Sequence, residues 1–141
     1  MKKIVMLSVV VALVLAGATA RGKSLSVGDL PPAAQSLLSS VFSGVEVQQV
    51  KKNFKDYQVK LADHTLINFD RDGGWESIMN RNGLPANALP EKISATVTST
   101  YPLLGVVKIE KEFGKIEVTL SDGSELLFDM EGKGLGRKSD S

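Results

Sequence analysis

The second half of this chain rewrites the first. Setting Leu30-Pro31 on Leu89-Pro90 gives an offset of 59 residues (89 against 30) that runs without a gap to the end of both copies. Ser40 falls on Ser99, Val47 on Val106, Lys52 on Lys111, Phe54 on Phe113, Val59 on Val118, Leu61 on Leu120, Asp63 on Asp122, Phe69 on Phe128, Asp70 on Asp129 and Gly73 on Gly132. One register that keeps core-type and turn-type residues together means that a whole structural unit occurs twice. Any fold assigned to one copy must therefore suit the other.

Each copy opens with helical periodicity. Ala33-Ala34, Leu37-Leu38 and Val41-Phe42 place two apolar residues on every turn, with Asp29 upstream and Pro31-Pro32 confined to the first turn, where a missing N–H costs little. In the second copy Ile93, Val97 and Tyr101 keep the spacing, although Thr96, Thr98, Ser99 and Thr100 are poor helix formers. The period then changes to two. Tyr57, Val59 and Leu61 alternate with Gln58 and Lys60, as Ile116, Val118 and Leu120 alternate with Glu117 and Thr119, which gives each run one buried and one wet face. Preceding strands are predicted over Val45 to Lys52 and Val106 to Lys111, and following ones over Thr65 to Phe69 and Ser124 to Phe128. A fourth strand is expected from Trp75 to Met79, with a shorter counterpart near Lys133 to Arg137. Asp63-His64 and Asp122-Gly123 mark tight hairpins.

The expected fold class is α+β: two tandem repeats, each an N-terminal helix packed on an antiparallel meander of three to four strands. Residues 21–79 and 89–141 are the two units, joined edge to edge or packed side by side. The linker, 80–88, lies within the Asn-, Gly- and Pro-rich stretch Met79 to Pro90. The tail after Gly132 should fray at its end. Residues 1–20 stand apart: Lys2-Lys3, an apolar run from Ile4 to Leu15 and a terminal Ala18-Thr19-Ala20 read as a cleaved secretory signal. A periplasmic or secreted protein with no stable membrane anchor after cleavage is expected.

Removal of Lys2 and Lys3 leaves fifteen basic against sixteen acidic residues. That balance gives no reason to expect nucleic acid as a partner. Cysteine is absent, so the core alone must hold the fold. No G-x-S-x-G, H-E-x-x-H or phosphate loop occurs, and His64, the sole histidine, lies in a hairpin turn opposite Gly123. No catalytic residue, enzyme activity or cofactor is expected. Asp70, Asp72 and Gly73 resemble the start of a calcium loop, but the twelfth residue from Asp70 is Arg81, where such a loop needs Glu. Asp70/Asp72 and Asp129/Glu131 therefore read as turn residues, and no metal ligands are assigned. A calcium-dependent structural or adhesive envelope protein stays as the second reading.

The order Leu-Pro, amphipathic helix, "YQVKLADHTLINFDRDGGW", then a second Leu-Pro, Tyr101-Pro102 and "EVTLSDGSELLFDMEG" resembles the PepSY-like family of exported bacterial proteins over nearly the whole mature chain. That family is related to the propeptide domains of secreted peptidases and similar in fold to a beta-lactamase inhibitory protein. The resemblance implies a periplasmic or secreted, non-enzymatic module of helices on antiparallel sheet. The chain departs from a symmetric use of its halves at Trp75, which falls on Gly134.

The function expected is therefore noncovalent binding of a protein or peptide, with inhibition of an envelope or secreted enzyme as one form of it. By strand parity Lys60, Leu66 and Asn68 share a wet face with Gln58, and Glu117, Thr119 and Leu127 share it with Glu125. Leu66 and Leu127 make that face partly apolar, so these six residues are binding candidates. Trp75 is the seventh: it either caps its sheet as core or, at the surface, anchors a partner.

Overall fold

The computed structural model describes residues 25–138, so the leader expected over residues 1–20 lies outside the described part. Helix α1 spans Pro32–Val41 and α2 spans Glu91–Thr100. Each begins directly after a proline, Pro31 or Pro90. Pro32 sits where its missing N–H would have found no helical partner anyway. Asp29 does not cap α1. Its carboxylate accepts hydrogen bonds from the Ser26 N–H (2.9 Å) and hydroxyl (3.3 Å), which closes a separate 3-10 turn at Val27–Asp29. Ala34, Leu38 and Phe42 from the first helical segment and Ile93 and Val97 from α2 are buried. The expected stripe is thus the buried one.

Eight strands follow the helices in two groups of four. They are β1 (Val47–Lys52), β2 (Asp56–Leu61), β3 (Leu66–Asp70) and β4 (Trp75–Met79), then β5 (Val106–Glu112), β6 (Lys115–Leu120), β7 (Glu125–Asp129) and β8 (Gly134–Arg137). All pair antiparallel in chain order within one sheet. The register repeats with the sequence: Val50 faces Val59 as Ile109 faces Val118, and Val59 faces Ile67 as Val118 faces Leu126. Even the irregularities are duplicated, at Val47/Gln49 and Val106/Lys108 and again at Asn68/Phe69 and Leu127/Phe128. The tail is ordered through β8, and the Lys138 N–H extends the pairing by donating to the Glu125 carbonyl.

The units join edge to edge. Ser77 pairs with Glu110, Ile78 with Ile109 and Met79 with Lys108, so β4 and β5 make one continuous sheet. The linker begins as a built joint: the N–H groups of Asn80 and Leu84 donate to the carbonyls of Val107 and Val106. The buried Asn80 side chain donates to the Asp63 carbonyl and the Thr65 hydroxyl, both at 3.0 Å, and accepts from the Asn82 N–H at 2.8 Å. Each polar atom of that buried amide is thereby matched to an opposite one.

Both helices cover the same side of the sheet, because one continuous core holds their buried residues together with Val59, Ile67, Phe69, Ile78, Ile109, Val118, Leu126 and Phe128. Phe69 and Phe128, at the centre of each unit, each contribute about 2–3 kcal/mol by leaving water.

Candidate functional site

Alternation along the strands sends the residues between the core positions to the other face, on which no described helix packs. Register places these residues in rows. One row runs Lys60, Leu66, Met79, Lys108, Thr119 and Glu125; the next runs Gln58, Asn68, Ser77, Glu110, Glu117 and Leu127. Six sequence candidates, Lys60, Leu66, Asn68, Glu117, Thr119 and Leu127, are therefore brought onto one surface. Met79, 42% exposed beside Leu66, and the Lys108–Glu110 pair (3.3 Å) complete its middle. Sequence reading missed these three because they lie at the join of the units; the parity of β4 and β5 carried the signal.

Trp75 is not with them. It pairs with Phe69 on the helix-bearing side at a hairpin end and lies half-buried against the core, with the Lys111 ammonium 4.2 Å from its ring centroid. The extra residue in β4 at this irregularity is Glu76, held above the ordinary carboxylate range by burial and then by the neighbouring Asp56 and Asp70 charges.

Glu117 also departs from expectation. It was assigned to a wet face and is only 7% exposed. In the first unit Gln58 donates to Asn68 Oδ1 (3.3 Å) and Asn68 donates to the Ser77 hydroxyl (2.9 Å). The equivalent places in the second unit hold Glu117, Leu127 and Gly136, which offer the carboxylate no such ladder. Lys138 supplies the partner instead, with Nζ 2.7 Å from Glu117 Oε2. That hydrogen bond and the Glu117 charge raise the Lys138 amine above its ordinary value. The sequence could not place residue 138 there, because it assigned this part of the chain to a fraying tail.

The acidic turns are occupied by their own backbone. Asp70 Oδ1 accepts from the N–H groups of Asp72 (2.8 Å) and Gly74 (2.9 Å), and Asp129 Oδ1 accepts from Glu131 and Lys133, both at 2.9 Å. The Lys133 and Glu131 N–H groups pull the Asp129 carboxyl below the ordinary range. Gly73 and Gly132 both adopt φ 93°, the left-handed geometry these turns need. Among the described residues no group of three or more His, Asp or Glu side chains is arranged to hold a metal ion. His64 lies exposed at φ 77° in the β2–β3 turn, where the second unit has Gly123 at φ 91°. An open groove of about 690 Å³ beside α1 is lined by Val27, Gln35, Ser39, Phe42 and neighbours, with no titratable side chain.

Against this geometry, a family model described as "Putative beta-lactamase-inhibitor-like, PepSY-like" matches residues 18–66 and 55–135. The chain belongs to the PepSY-like family. Solved structures agree with the architecture. A "putative calcium-regulated periplasmic protein" from Bacteroides thetaiotaomicron is similar at 30% identity and TM-score 0.74, over 83% of this chain and 96% of its own. A "putative periplasmic protein" from Bacteroides vulgatus is similar at 27% identity and TM-score 0.71, with the same coverage of both chains. Another from that organism, "of unknown function", is similar at 31% identity and TM-score 0.69, over 81% of this chain and 95% of its own. No curated protein matches. These similar structures are periplasmic proteins by name, and no helix among the described residues is long and apolar enough to cross a membrane.

Proposed function

We propose that this PepSY-like chain is an exported, non-enzymatic binding module, periplasmic or secreted, that holds a protein or peptide on the open face of its sheet. The observation that carries the reading is the helix-free face itself, where Leu66, Met79 and Leu127 sit among Lys60, Lys108, Glu110 and Thr119. Rigid strands hold these groups at fixed spacing, so a partner meets a pre-organised surface of mixed apolar and charged character. Inhibition of an envelope or secreted enzyme is one form such binding takes.

The test tethers the protein, passes periplasmic extract of its source over it, and repeats the capture with a Lys60→Glu, Leu66→Ala, Leu127→Ala variant of unchanged melting temperature. A partner held by the parent and lost by the variant is the expected result. Equal retention by both overturns the assignment of this face.

The name of the 30%-identical relative favours a second reading, regulation by calcium. Calcium would draw on Asp70/Asp72 and Asp129/Glu131 and would compete with the N–H groups that already engage Asp70 and Asp129. Titration calorimetry separates the two. Heat with a rise in melting temperature, abolished by Asp70→Asn, supports calcium; its absence leaves the binding module.

A further inference from the structure

Leu103 is 95% exposed, more than any other large hydrophobic residue in the described part. It lies in the connection from α2 to β5, and the repeat sets Gly44 against it in the first unit. One turn builds both corners: the Val45 N–H donates to the Phe42 carbonyl at 3.0 Å, as the Leu104 N–H donates to the Tyr101 carbonyl at 3.1 Å. The second corner carries a leucine side chain into solvent. The first leaves open space, because a Cβ on Gly44 would meet nothing within 4 Å. The same corner is a knob in one repeat and a hollow in the other.

That hollow belongs to the groove of about 690 Å³ along α1. Leu38 and Phe42, both buried, line it together with the half-buried Val27 and Val45. Gln35, also in the lining, spends its amide donor on the Leu30 carbonyl at 2.8 Å. The groove therefore suits an apolar entrant.

Knob and groove share a surface without charge. No Asp, Glu, Lys or Arg occurs from Leu30 to Val45 or from Ile93 to Val107, in a chain with seventeen basic and sixteen acidic residues. Both helices nonetheless expose side chains to water, among them Ser36, Ser39 and Ser40 on α1 and Thr96, Thr98 and Ser99 on α2. Covering uncharged hydroxyls costs far less than covering ions, and depletion of charge is the compositional mark of an interface core.

We propose that the helix side is the contact between two copies of this chain, with Leu103 of each copy seated in the α1 groove of the other. Both corners follow helices that cover one side of one sheet, four strand spacings or roughly 19 Å apart. A two-fold axis crossing the line between knob and groove exchanges them, so the contact forms twice and the assembly closes at a pair. A foreign partner would have to fill the groove and cover Leu103 separately; a second copy does both with one contact repeated. Two ten-residue helices, each about 15 Å long, give a footprint on the order of 500 Å² per copy, at the lower end for a specific pair, so micromolar association is expected. The pair leaves both open sheet faces outward, so it goes beyond the binding proposed for that face and either assignment can fail alone.

The chain from Arg21 onward contains every described residue and serves as the material. Sedimentation velocity is measured from about 1 to about 500 μM, and the parent is expected to pass from one copy to two. Leu103→Ser, which removes the knob, and Ser39→Arg, which places a long charged side chain in the groove, should each weaken pairing at least about tenfold. Both positions are exposed, so both variants should keep the parent's melting temperature; should Ser39→Arg not, Ser36→Arg replaces it. Mixing the variants is the decisive arm. Leu103→Ser brings an intact groove and Ser39→Arg an intact knob, so the mixture recovers one of the two contacts and should pair more tightly than either variant alone. A parent that stays single throughout, a Leu103→Ser variant that pairs as the parent does, a mixture no tighter than its components, or growth beyond two copies overturns the proposal.

Discussion

The two repeats share a backbone to the level of individual irregularities and differ in how each satisfies the same positions on the open face. The first lays a neutral ladder across three strands, Gln58 to Asn68 to Ser77; the second puts a carboxylate, Glu117, beside an apolar neighbour, Leu127, and reaches to Lys138 for a counterion. An amide carries both a donor and an acceptor and can pass a hydrogen bond along a row. A carboxylate only accepts, so it needs a donor or cation brought from elsewhere. Duplication preserved the framework, and divergence rewrote the chemistry of the surface the framework displays.

The comparison can be broken most strongly at the turns. A Cβ on Gly73 would come within 2.8 Å of Pro31 Cβ and 3.0 Å of the Ala34 backbone nitrogen, whereas on Gly132 it would meet only the Lys92 side chain, at 2.8 Å. Left-handed strain applies to both, but the obstacle in the first repeat includes backbone. Gly73→Ala should cost about 3–4 kcal/mol and Gly132→Ala about 2 kcal/mol in urea melts. Equal losses would show that the two turns are supported alike.

Next is the joint. Thr65 is buried and receives Asn80, while its counterpart Ser124 receives the exposed Arg137 guanidinium at 2.7 Å. Asn80→Ala leaves the Asp63 carbonyl and the Thr65 hydroxyl without their donor and should cost about 2 kcal/mol. Arg137→Ala should change stability by less than about 0.5 kcal/mol.

The Lys138 contact is the sharper comparison of ladder with ion pair. Lys138→Ala should lower the melting temperature of the parent and leave a Glu117→Gln/Leu127→Asn variant, which carries the first repeat's amides, unaffected. Because the folded Lys138 value is raised, its contribution is fully present below the ordinary 10.5 and is lost as pH rises through the higher folded value. Melts taken across that range should fall further for the parent than for the amide variant. The β2–β3 and β6–β7 turns should respond in opposite directions: His64→Gly should stabilise by up to about 0.5 kcal/mol, and Gly123→His should destabilise by a similar amount.

Much of the fold was legible because it rests on local periodicity repeated twice. Both helices, all eight strands and the turn role of Asp70 and Asp129 followed from spacing, and the weak helix former "ISATVTST" was read correctly because its copy, with Ala34 and Leu38, was not weak. The site was legible in part. Parity put Lys60, Leu66, Asn68, Glu117, Thr119 and Leu127 on one face, since side chains must alternate along a strand. Trp75, read as either a core cap or a partner anchor, lies half-buried against the core, on the helix-bearing side, where the β4 irregularity breaks the alternation.

By itself, then, the sequence determined what a periodic code can carry: helix, hairpin, core face and the existence of two equivalent units. Only the tertiary structure decided how the units meet, by pairing β4 with β5 through a linker whose composition looked merely irregular. It also decided that Glu117 leaves water for Lys138, and that the α1 groove and Leu103 stand on one side of a common sheet. Those outcomes depend on contacts between residues far apart in the chain, which no local pattern encodes and which only closure of the whole sheet brings together.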